Sequence, residues 1–189
     1  MRTARSAGLV LRLAFGWNGK AFVCLVSTSL ILHHRALEVK FLAMDTVNHT
    51  VAYWDQGTHK PTHTTLPYAT HGIIEILKHP GETKNKRVFM EAFTAARREI
   101  VAELEKQQGV KYEELPPVNA AEAVEDAHRR WNKSKDFAAA ITTVVAEILM
   151  EEYGANFVKA GKKPILEDFA VMPKVTLEDV VKTVVSRQG

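Results

Sequence analysis

Gly16 and Gly19 follow the apolar segment 9–15 and precede a second apolar run, an order of strand, glycine turn and helix. That order could cradle the pyrophosphate of a dinucleotide, but the chemistry asks for three glycines: one for the turn, one for close backbone approach, one for helix–strand packing. Phe22 stands where the third would be. Glu38 lies about 20 residues on, where a ribose-binding acid could sit. This is half a fingerprint, and no cofactor-binding residue is assigned from it. The eight histidines raise metal chemistry. His59 and His63 are separated by Pro61 in a loop-like segment, and His71 and Glu75 share a helical face with no third ligand. No His-Glu-x-x-His occurs, so solvated histidines and no metal site are expected. Nucleophilic catalysis finds no Gly-x-Ser-x-Gly, and the single cysteine, Cys24, has no basic neighbour in sequence. No catalytic residue is assigned. Phe41, Met44 and Trp54, with Tyr53, could line an apolar pocket for a flat organic substrate. The competing reading is that alternate members face the core.

The elements that would position these groups follow from periodicity. Thr50–Trp54 alternates and is rich in β-formers, so it reads as a strand, with Asp55-Gln56-Gly57 as its turn. Thr65 caps a helix with Pro67 in the first turn and Ile73, Ile74 and Leu77 on one side, ending before Pro80. Residues 87–93 read as one strand. Thr94 is the expected N-cap of a helix reaching Gln108, with Ile100, Val101 and Leu104 inward and Gly109 just past its end. Pro116-Pro117 breaks the chain before a helix that groups Ala121, Val124, Ala127 and Trp131. The next helix carries Phe137, Ala140, Ile141, Val144, Val145, Ile148 and Leu149 at helical spacing and ends by Gly154. Thr176-Leu177-Glu178-Asp179 resembles a capping box and opens the stripe Val180, Val181, Val184, Val185.

Composition narrows the classes. At 189 residues one domain is expected, with chain enough for a core. The net charge of +3 is uneven. Arg2, Arg5, Arg12, Lys20 and Arg35 precede the first acid, Glu38, and outnumber the whole excess, so the rest is slightly acidic. A dedicated nucleic-acid surface needs clustered cations and is not expected. The basic run from Lys84 to Arg87 is short and reads as a solvated turn, with phosphate contact the minority reading. Residues 1–40 read as a basic, apolar leader, and residues 41–189 as the folded domain. The apolar run 21–32 is too short to span a bilayer. Its length suits a secretory signal, its acid-free start a mitochondrial presequence, and an unusual leader before a cytoplasmic domain is the third reading. Asn48-His49-Thr50 and Asn132-Lys133-Ser134 are sequons that matter only in a secreted chain.

Residues 41–109 resemble the second half of the NmrA-like, isoflavone-reductase-like proteins, an atypical branch of the short-chain dehydrogenase superfamily. The resemblance rests on FLAMDTVNHTVAYWDQG and on ILKHPGETKNK, in which Lys78-His79-Pro80 is the stop and Glu82-Thr83-Lys84-Asn85 leads to a strand. It rests too on Thr94 followed by Glu99-Ile100, and it extends to about Val185. Departures are Tyr68-Ala69-Thr70 in the first helix and the additional Arg97-Arg98. The resemblance implies an α/β to α+β fold: a partial Rossmann-like reductase, mainly the helix-rich substrate side with a few short strands. It also implies NADP(H) as cofactor and a small aromatic or carbonyl substrate in intact relatives. The glycine motif and the lysine-bearing catalytic segment of that family have no counterpart here, so a truncated chain, inactive alone, is expected. The alternative is a non-catalytic, NmrA-like module that senses dinucleotide or binds a protein partner.

Overall fold

The computed structural model describes residues 24–26, 43–151 and 155–187. Phe41, the Gly16–Gly19 turn and Gly154 lie outside them.

Among the described residues, seven short strands form three small sheets. The central one is built on β3 (Thr50–Trp54), where alternation sends Val51 and Tyr53 into the core at 0% and 5% exposure. β2 (Met44–Asp45) pairs antiparallel with β3, Met44 opposite Val51. The Asp45 carboxylate shapes the connecting turn by accepting from the Val47 and Asn48 amides at 3.1 and 2.9 Å. On the other side of β3 lies β7 (Glu113–Val118), parallel to it and at the sheet edge. Pro116 and Pro117 were expected to break the chain. They sit instead within β7, where the register shifts between Ala52 and Trp54. An edge strand tolerates proline because the missing N–H faces no neighbour.

β4 (Thr62–His63) pairs antiparallel with β6 (Phe93–Thr94), and β1 (Cys24–Val26) pairs parallel with β5 (Arg87–Phe89). Residues 87–93 are therefore not one strand. Its two ends belong to different sheets, with buried Met90 between them.

Helix α1 (Leu66–Lys78) is capped by Thr65, whose hydroxyl accepts from the Tyr68 amide. Its inward face is Tyr68, Ala69, Gly72, Glu75 and Ile76, rotated from the expected one. Leu66, Ile74 and Leu77 are exposed. Gly72 fixes the rotation: a Cβ there would stand 2.7 Å from Met90 Sδ. The short α2 (Pro80–Thr83) follows.

Helix α3 (Arg97–Gln108) starts at Ala96, not Thr94. Thr94 is held in β6, and its hydroxyl donates to Glu91. Ile100, Val101 and Leu104 face inward as expected, and Gly109 closes the helix at φ +70°. Helices α4 (Ala120–Ser134) and α5 (Phe137–Leu149) form a hairpin turned by Lys135 in left-handed geometry. Phe137 was grouped with the inward residues of α5, yet it is 75% exposed. Trp131 and Ala121 also face outward, and Ala120, Ala127, Ala139 and Ala146 make the close contact instead. Small side chains let the two helices approach. α5 ends at Leu149, ahead of Gly154.

Helix α6 (Leu177–Val185) carries the expected box: Thr176 accepts from the Asp179 amide, and Asp179 accepts from the Thr176 amide at 3.0 Å. Its valines pack on α3, joining Met44, Val51, Ile100 and Leu104 in the largest core cluster. A second cluster lies under α1, and Val175 touches both. Among the described residues, no helix is long and apolar enough to cross a membrane.

Candidate functional site

The described residues concentrate their unusual polar chemistry where β3 and β6 meet the start of α3. β3 ends at Trp54, and the chain then turns through Asp55 at φ +49° and Gly57 at φ +65°. That turn receives α3. The Gly57 carbonyl accepts from the Arg98 amide, and the Gln56 carbonyl accepts from Arg98 Nε at 2.8 Å. The Arg98 guanidinium lies 4.1 Å from the centre of the Tyr53 ring and reaches Glu114 at 3.2 Å. Burial raises the Tyr53 hydroxyl, and Arg98 partly opposes that rise.

Arg97 points the other way, into the protein. It is 4% exposed, and its Nη1 donates to the Ala52 carbonyl at 3.0 Å. Its Nη2 is buried with no partner among the described residues. Burial lowers the guanidinium to about 10, so it stays charged at neutral pH. Beside it lies His63, 2% exposed, whose Nε2–H donates to the Ala95 carbonyl at 3.0 Å. Burial pushes this imidazole down to about 4, which leaves it neutral. The expectation of solvated histidines fails here, because β4–β6 pairing carries His63 inward with its strand. Arg97 was visible in sequence only as one of two additional arginines; its burial depends on packing that no local pattern reports.

Two other hollows stand near α3 and β4. An open groove of about 650 Å³ runs between α3 and the start of α6, walled by Phe93, Ala102, Val175 and Leu177 with Thr94 and Lys106. A hollow of about 130 Å³ holds His59, Glu151, Asn156 and Lys159. Burial lowers His59, with Glu151 opposing. Lys159 pairs with Glu151. His71 bonds the Val171 carbonyl at 3.2 Å, while Glu75 pairs with Lys78. Among the described residues, no three His, Cys, Asp or Glu side chains gather as a metal site.

Of the substrate-pocket candidates, Met44 is 1% exposed and shares the largest core cluster with Tyr53. Trp54 is half-buried on the opposite face of β3, against Ala120, Ala146 and Met150. The structure thus separates Met44 from Trp54, and Phe41 lies outside the described residues. The described strand-to-helix turns carry Thr64-Thr65, Ala95-Ala96 and Asn119. None has the glycines that let backbone approach a pyrophosphate, so these turns do not fit a dinucleotide.

No protein-family model and no curated protein sequence matches the chain. Solved structures do. A crystal structure of isoflavone reductase superposes with a TM-score of 0.64 at 16% identity, covering 87% of this chain and 53% of that one. A nucleoside-diphosphate-sugar epimerase from Staphylococcus aureus gives 0.51 at 17% identity, covering 79% and 48%. The chain spans about half the length of the structures it resembles. Its mixed α/β architecture, six α-helices and a few short strands among the described residues, superposes on part of the isoflavone reductase fold.

Proposed function

We propose that the chain supplies the substrate side of an NAD(P)(H)-dependent oxidoreductase of the NmrA-like, isoflavone-reductase-like kind, acting on a small aromatic or carbonyl compound. The observation that carries this reading is the superposition on isoflavone reductase over 87% of the chain. The agreement between the motif-bearing segments and the elements they form supports it. NADPH would supply the hydride. The described residues contribute binding surface rather than a cradle for that cofactor, and the reading expects no catalysis from the chain alone. Of the candidates Phe41, Met44 and Trp54, the proposed contact for a flat substrate is Trp54, half-buried on the face of β3 away from Met44.

The test is a fluorescence titration in a Trp17→Phe, Trp131→Phe background, where Trp54 alone reports. A flat aromatic ketone such as an isoflavone is expected to quench it saturably, and NADPH alone is expected to leave it unchanged. No quenching by the ketone, from a chain shown folded by circular dichroism, would remove the substrate-side reading. Saturable micromolar binding of NADPH would replace it with a chain that holds its own cofactor.

A non-catalytic module that binds a protein partner is the second reading. The exposed apolar face Leu66, Ile74 and Leu77 on α1 favours it. Under that reading, with a second copy of the chain as the protein bound, Ile74→Glu with Leu77→Glu leaves the titration unchanged and abolishes concentration-dependent growth in size on gel filtration.

A further inference from the structure

The α4–α5 hairpin ends in an exposed tip that carries two aromatic rings. Trp131 lies in the last turn of α4 and is 42% exposed, and Phe137 opens α5 at 75% exposed. The chain reverses between them at Lys135, whose amide donates to the Trp131 carbonyl at 2.9 Å. Helical side chains tilt toward the helix N-terminus, so Phe137, at the first position of α5, leans out past the tip. Trp131 lies on the flank of the same turn, with the Lys135 ammonium 5.3 Å from the centre of its ring. Two exposed rings on one turn differ from apolar residues scattered singly over a surface. The charges around them leave one sign over. Arg129 engages Glu125 and Asp126, and Arg130 engages Asp126 and Asp136 at 2.8 and 2.7 Å. Lys133 and Lys135 are exposed and have no carboxylate partner among the described residues.

We propose that the tip of the α4–α5 hairpin is a docking surface for an anionic lipid bilayer, with Trp131 and Phe137 entering the interface and Lys133 and Lys135 meeting the headgroups. The mixture of side chains selects this occupant. The core of a protein–protein contact is depleted of lysine, because an ammonium is costly to strip of water. A membrane interface takes the same mixture without that cost. Aromatic rings settle at headgroup depth, and lysines lay their carbon stems along apolar surface while the ammonium stays in water beside phosphate. Shape points the same way. The tip is a protrusion, and a protrusion can enter a bilayer surface without a matching pocket. The acids at the tip are engaged by arginines, which leaves the two lysines as the charges free to meet an anionic leaflet. The surface is independent of the proposed substrate reading, so either can fail without the other.

The experiment is co-sedimentation of the full chain with vesicles of two parts phosphatidylcholine to one part phosphatidylserine. The wild type is expected to sediment with them, and less so as salt is raised. Trp131→Ala with Phe137→Ala should weaken binding about tenfold, and Lys133→Gln with Lys135→Gln about fivefold per lysine. Ile74→Ala with Leu77→Ala, which removes exposed apolar surface from α1, should change nothing. Residues 1–23 are also basic and apolar, so the variants decide rather than binding alone. A wild type that stays in the supernatant, or a Trp131, Phe137 variant that binds as the wild type does, would overturn the proposal. So would loss, in that variant, of concentration-dependent growth in size with vesicle binding intact, which would assign the tip to a second copy. Should the variant not fold, a Trp17→Phe, Trp54→Phe background leaves Trp131 to report. Its emission is expected to be quenched by brominated lipid, and unchanged emission would count against the site.

Discussion

Two residues show how local geometry sets stability. Gly57 holds φ +65°, and a Cβ there would lie 2.4 Å from Tyr53 Cδ1, in a ring already fixed beneath Arg98. Gly57→Ala is therefore expected to cost about 2 kcal/mol, from strain at positive φ plus the displaced ring. Gly81→Ala, with open space around it, should be near neutral. Urea unfolding of the pair checks the contrast. His63 links stability to pH. Its folded pKa is lowered from 6.5 to about 4, so between these values the unfolded chain binds the extra proton and the folded one does not. The stabilisation is complete above pH 6.5 and fades as pH falls towards 4. About 2 kcal/mol should be lost by pH 5. His63→Gln, which keeps a donor for the Ala95 carbonyl, should flatten that slope in unfolding curves measured between pH 7 and pH 5.

At the scale of elements, α6 depends on a box whose parts are both observed, so Thr176→Ala should cost about 1 kcal/mol. Hydrogen exchange would show the loss first in the amides of α6. Leu104→Ala, at a fully buried position of α3 facing the α6 valines, should cost about 3 kcal/mol. These features were legible in sequence because their causes are local. A hydroxyl three residues ahead of an acid, a glycine after the last turn, and alternation in Thr50–Trp54 all act within a few residues. What was not legible depends on distant chain. Residues 87–93 divide between two sheets because their partners, Cys24–Val26 and Thr62–His63, come from different places. Pro116-Pro117 reads as a breaker, and Glu113–Val118 becomes a strand only because β3 presents a free edge to it. The start of α3 moved from Thr94 to Ala96 because pairing with β4 claims the threonine. The candidate site fared likewise. Its sequence signal was a pair of surplus arginines, and only packing distinguishes Arg97, buried and bonded to the Ala52 carbonyl, from Arg98, spread over Tyr53.

For the whole molecule, the question is whether the parts melt together. Val175 packs against both major core clusters, one under α1 and one between α3 and α6. Val175→Ala should thus speed amide exchange in α1 and in α6 alike. Acceleration confined to α6 would mean that the clusters open separately. The parallel pair β3–β7 has a further consequence. Its two strands are separated by the whole of α1, α2 and α3. On a ribosome adding about 5–20 residues per second, β3 emerges roughly 3–13 s before its neighbour exists. During that interval one hydrogen-bonding edge of the nascent chain is open to any extended segment nearby. A newly made copy is therefore most vulnerable to wrong pairing before residue 118 leaves the ribosome, and a chaperone that shields Thr50–Trp54 would matter more at that moment than at any later one.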